Sequence, residues 1–251
     1  MEKQTISGLR MLQIKNLVKK YTAIIFACIF FLSINIESTN PIHSISIDSD
    51  YTPAQKEIAY GKNGMVTTQH FIATRVGENI LNKGGNAYDA SIAIAFTLAV
   101  VLPRAGNIGG GGFMVIYDKD TEKPYSIDYR EKAPKLASKD MYLNEDGTFN
   151  DKRLSTFGYL SSGVPGTVAG LWEVHEKFGS LPWETLLEDA IYYARNGFEI
   201  TDYMADVLYA YNEKLSYFKE TESIFQNHYP DFKNKTLIQN DLANTLKIIS
   251  E

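Results

Sequence analysis

The chain has 251 residues, 44% hydrophobic and 22% charged, with 18 Gly, 8 Pro and one Cys. That balance excludes disordered, collagen-like and coiled-coil classes and allows one large domain or two small ones. The formal charge is −5, and no basic run follows Lys20. The phosphate-neutralising stripe of a nucleic-acid binder is therefore missing, and nucleic acid is not an expected partner.

Residues 1–40 read as an address. Lys15, Lys19 and Lys20 precede the apolar stretch Tyr21–Leu32, and polar sequence follows from Ser33. A basic flank followed by a short apolar segment predicts a secretory signal peptide, with a retained N-terminal anchor as the alternative. The stretch is shorter than the ~20 apolar residues of a membrane-spanning helix. Cys28 is followed by Ile29, Phe30, Phe31 and Leu32, which argues against lipid attachment. Export to the periplasm or extracellular space follows, with residues 41–60 as a linker and 61–251 as the folded part.

Gly64–Thr68 is a β-branched run predicting a first strand. Apolar residues at Ile72, Val76, Ile80 and Leu81 predict a helix closed by Gly84-Gly85. Asn86 then caps a second helix over Ala87–Val101, stopped by Pro103. That helix is apolar almost all round, which predicts a core helix buried on every side of a layered fold.

Phe113–Tyr117, a polar turn, and Tyr125–Arg130 predict a hairpin. Alternation puts Tyr125, Ile127 and Tyr129 on one face and Ser126, Asp128 and Arg130 on the other. Further helices are predicted over Thr167–Phe178, Pro182–Arg195 and Asp202–Leu215. A last one is capped by Asn240 and carries Leu242, Leu246 and Ile249 on one stripe. That final helix has no stop signal before Glu251, which suggests a truncated chain.

Gly109–Gly112 leads into a strand without a following Lys. It therefore reads as backbone packed too close for any Cβ, or as a pocket-lining loop, rather than a phosphate loop. Ser216–Lys219 matches S-x-x-K, but its supporting motifs are missing and a surface helix explains it better. His43, His70, His175 and His228 show no ligand spacing, and no metal or other cofactor is expected. His70, at a strand-to-helix junction, is expected to make a structural hydrogen bond. Asn234-Lys235-Thr236 is a glycosylation sequon. Arg130 carries a planar fork suited to a carboxylate, while spacing alone favours a structural pair with Asp128 or Glu131.

Longer motifs shift that balance. Gly84-Gly85-Asn86-Ala87-Tyr88-Asp89-Ala90 resembles the GGNAxDA signature of γ-glutamyltransferases, also called glutathione hydrolases. Gly106–Phe113 resembles that family's GNxGGGGF segment. Asp128-Tyr129-Arg130-Glu131 with Ala133-Pro134 resembles D-[FY]-R-E-x-A-P, and Ser162–Gly170 resembles SGxPGTVAG.

The resemblance implies an α+β fold, the N-terminal portion of an N-terminal-nucleophile hydrolase αββα sandwich. It also implies a precursor that cuts itself into large and small subunits. The new N-terminal Thr of the small subunit attacks the γ-glutamyl carbonyl, and the group passes to water or to an amino acid or peptide acceptor. By matching position, Arg130 holds the substrate α-carboxylate. Glutathione or other γ-glutamyl compounds, and the small subunit, are the implied partners.

The family's Thr lies in a later Thr-Thr-His-like segment. Thr67-Thr68-Gln69-His70 occupies the early strand-to-helix junction instead and is not the nucleophile. No catalytic residue is therefore expected in these 251 residues, and the chain alone is expected to be inactive. The rival expectation is a non-catalytic exported protein that binds γ-glutamyl compounds.

Overall fold

In the computed structural model, residues 60–149 and 154–251 are described. The signal and linker readings at residues 1–59, His43 included, lie outside them.

Helix α1 spans Phe71–Asn82. The side chain of His70 caps it, with Nδ1 accepting the Ile72 N–H at 3.3 Å. This is the structural hydrogen bond expected of His70. Gly64–Thr68 forms no strand, because its last residue turns the chain instead. Thr68 Oγ1 donates to the His70 carbonyl at 2.8 Å and accepts the His70 N–H at 3.2 Å, a local side-chain turn that competes with a ladder.

Gly84 closes α1 at φ 91°, a left-handed position that costs glycine nothing. The Gly85 N–H reaches back to the Ile80 carbonyl at 3.0 Å, completing the helix stop.

Helix α2, Ala87–Val101, begins in a capping box. Asn86 Oδ1 accepts the N–H groups of Tyr88 and Asp89, and the Asp89 carboxylate accepts the Asn86 N–H, each at 2.9 Å. From Ala90 onward no residue of α2 is exposed, and Ile92, Phe96 and Val100 are fully buried. Burial is nevertheless not uniform: Ser91, Ile94, Ala95 and Leu98, one helical stripe, are half-buried. At Ile94, within this stripe, α1 comes close, since a Cβ on Gly77 would stand 2.9 Å from Ile94 Cγ1.

Strands β1 (Phe113–Asp118) and β2 (Lys123–Asp128) pair antiparallel, Phe113 opposite Asp128 and Ile116 opposite Tyr125. Met114, Ile116, Tyr125 and Ile127 face the core, while Phe113, Val115 and Tyr117 are exposed. Strand β2 stops short of Arg130, whose N–H is taken by Asp128 Oδ1 at 3.0 Å rather than by a ladder.

Helices α3 (Thr167–Phe178) and α4 (Trp183–Asn196) pack on α2, and α4 also packs on the last helix. Helix α5 (Asp202–Ala210) ends earlier than expected, and α6 (Asn212–Leu215) and α7 (Lys219–Phe225) are separate short helices. Ser216 closes α6, while Lys219 opens α7 after an extended Phe218. The S-x-x-K residues therefore do not share one helix, against both earlier readings.

Two short strands, β3 (Phe198–Glu199) and β4 (Thr236–Leu237), pair before α8 (Asn240–Ser250). Asn240 is the first residue of α8 rather than its cap. The preceding Gln239 is buried and committed elsewhere: its Nε2 donates to the Val100 carbonyl at 2.9 Å and its N–H to Ala194 at 2.8 Å.

The fully buried Asp89 carboxylate joins α2 to the α3–α4 turn. It accepts the Ser180 N–H at 3.1 Å, the Ser180 hydroxyl and the Leu181 N–H at 3.5 Å. Replacing Asp89 by Ala takes the acceptor away from these donors and from the Asn86 N–H, and undoes the junction. The expected cost is about 3 kcal/mol of unfolding free energy in a denaturant titration.

Burial lowers the His70 pKa from its ordinary value of 6.5. The unfolded chain then binds a proton that the folded chain refuses, so this contribution is fully present above pH 6.5 and is lost as the pH falls below it. The melting temperature should drop on going from pH 7.5 to 5.5. His70→Asn, which keeps a capping acceptor, should flatten that slope.

Candidate functional site

Two glycine-bearing segments meet at Tyr129–Arg130–Glu131. The Gly110 carbonyl accepts the N–H groups of Gly166 and Thr167 at 2.8 and 3.1 Å, satisfying the start of α3, which has no side-chain cap. A Cβ on Gly111 would stand 2.9 Å from both Arg130 Cα and the Glu131 nitrogen. A Cβ on Gly166 would run into the Tyr129 carbonyl, and one on Gly170 into the Tyr129 ring. Backbone cannot yield as a flexible side chain can, so the glycines here are a steric requirement. The close-packing reading of Gly109–Gly112 thus holds at Gly111.

Beyond the hairpin, Lys132 and Val164 exchange two backbone hydrogen bonds of 3.1 and 2.8 Å. The loop before α3 is thereby fastened to the segment that carries Arg130. Tyr129 turns inward among these glycines, and burial raises its pKa. Arg130 turns outward with its side chain 62% exposed. The alternation expected along this strand therefore extends past its last ladder pair.

The Arg130 Nε donates to Glu131 Oε2 at 3.0 Å, and its Cζ lies 5.7 Å from the centre of the Phe113 ring. Its two Nη groups make no hydrogen bond among the described residues. Glu131 titrates below the usual carboxylate range. Its own backbone N–H is the main cause, followed by the Arg130 guanidinium, with the Gly111 N–H a smaller contributor.

The structural pair that spacing favoured does form, and it leaves four N–H donors of the fork unspent. With Nε occupied, an incoming carboxylate meets the paired Nη edge. Glu131 was visible in the sequence as a neighbour. Phe113 was not, and only the register that sets it opposite Asp128, two residues before Arg130, could have indicated it.

A separate cavity of about 890 Å³ is lined by His70, Phe71, Leu102, Arg104, Tyr203 and Met204, among others. Arg130 is not among its lining residues. Among the described residues no group of three or more His, Cys, Asp or Glu side chains could hold a metal ion. No described helix is long and apolar enough to cross a membrane.

Residues 73–251 match the family described as Gamma-glutamyltranspeptidase. The glutathione hydrolase proenzyme of Pseudomonas aeruginosa is 46% identical over 193 residues, 75% of this chain and 33% of that protein. The crystal structure of Helicobacter pylori gamma-glutamyltranspeptidase superposes with a TM-score of 0.73 at 40% identity, covering 77% of this chain and 55% of that one. The Bacillus anthracis transpeptidase CapD gives 0.63 at 35% identity, covering 76% and 59%. The chain thus spans about a third of the length of the curated relatives it matches. These relationships bear out the expected α+β class, the N-terminal portion of an N-terminal-nucleophile hydrolase αββα sandwich. Its motifs, its fold and its matched length together make the chain a member of the gamma-glutamyltranspeptidase family.

Proposed function

We propose that this chain is the donor-binding part of a γ-glutamyltransferase, or glutathione hydrolase, and that Arg130 grips the α-carboxylate of the γ-glutamyl group. The observation that carries the reading is the fork itself. One edge of the guanidinium is fixed by Glu131, its backbone is wedged between glycines, and its Nη groups are free and open.

A γ-glutamyl compound presents a carboxylate at one end and the scissile amide carbonyl at the other. Anchoring the first in a bidentate, charge-assisted pair sets the distance and direction of the second. The attacking Thr hydroxyl and the oxyanion donors come from the small subunit of the same precursor. That subunit is the proposed partner, and glutathione or a related γ-glutamyl amide is the proposed donor. Export, read from the basic flank and the apolar Tyr21–Leu32, is part of the same proposal.

On this reading the purified 251-residue chain releases no p-nitroaniline from γ-glutamyl p-nitroanilide above the blank. In the full precursor, Arg130→Ala raises the donor KM by the equivalent of about 2–4 kcal/mol, the cost of losing a charged, two-point hydrogen bond. Turnover by the isolated chain would relocate the chemistry, and an unchanged KM would remove Arg130 from the donor site.

A further inference from the structure

We infer that Phe113 is a positioning residue for Arg130, acting through its ring face rather than its bulk. The inference rests on the donor-binding reading of Arg130.

A guanidinium on a long side chain has many rotamers, and a bidentate contact uses one of them. Two neighbours narrow the choice here. Glu131 holds the Nε edge at 3.0 Å, which fixes one point of the plane but leaves rotation about that point. Phe113 supplies the second restraint, because its ring centre lies 5.7 Å from Arg130 Cζ, within cation–π range.

The ring is itself held by the fold. Phe113 is the first residue of β1, opposite Asp128 in the ladder. The Tyr129 N–H then bonds the Gly112 carbonyl at 3.0 Å, tying the residues next to Phe113 and Arg130 together. With one edge and one face engaged, the Nη edge points to a single place. Phe113 is 63% exposed among the described residues, so its ring face is open to the guanidinium beside it.

The full precursor is assayed with two donors, γ-glutamyl p-nitroanilide and 4-aminobutyryl p-nitroanilide, which lacks only the α-carboxylate. Phe113→Leu keeps an apolar side chain and removes the ring face. It should raise KM for the γ-glutamyl donor by about 3- to 5-fold at unchanged kcat. It should leave the 4-aminobutyryl donor unaffected. Phe113→Tyr should restore the wild-type KM, and Phe113→Leu should add nothing in an Arg130→Ala background.

A change shared equally by both donors would mark loss of packing and overturn the inference, as would failure of Tyr to rescue. If Arg130→Ala raises KM and Phe113→Leu does not, only the Phe113 role falls. If Arg130→Ala itself leaves KM unchanged, the donor-binding reading falls first and the Phe113 role with it.

Discussion

The approach of the α3 N-terminus to the Tyr129 carbonyl governs the placement of Arg130. Gly166 sits where any Cβ would overlap that carbonyl, and Gly111, in the loop before β1, packs against the same short segment. Two backbones can come this close only without side chains between them. Their polar groups are matched, since the Gly110 carbonyl caps α3. The segment is thereby held in place, with Tyr129 turned inward and Arg130 turned out.

Helix α3 is held at its other end by a different motif. Asn86 Nδ2 donates to the Phe178 carbonyl at 2.7 Å, and Asp89 takes the Ser180 and Leu181 donors just beyond it. The GGNAYDA segment therefore acts at a distance from the Arg130 surface. It builds the start of α2 and fixes the end of the helix whose start supports Arg130. Motifs far apart in sequence thus converge on one rigid unit, which suits a group that must offer a fixed edge to a small ligand.

Local signals made much of this legible in the sequence. Asn86 and Gly84 mark helix ends by their own chemistry, and α1, α2 and α3 lie within a residue of where periodicity sets them. Alternation along Tyr125–Arg130 correctly separated inward from outward residues. What escaped was decided by partners distant in the chain. Gly64–Thr68 has strand composition, but Thr68 turns back on His70. Asn240 has capping chemistry, but the chain enters α8 through a Gln already bonded to α2. Arg130 stood out by residue type, whereas its aromatic neighbour emerged only from the hairpin register.

Gln239 carries a consequence for how the protein comes apart. Its side chain holds the last turn of α2 and its backbone holds the last turn of α4, while Trp183 Nε1 donates to the Ile249 carbonyl at 2.8 Å near the far end of α8. A helix fastened near both of its ends to its neighbours does not open by itself. Its slowest-exchanging amides are expected to open in step with those of α2 and α4, as one cooperative unit.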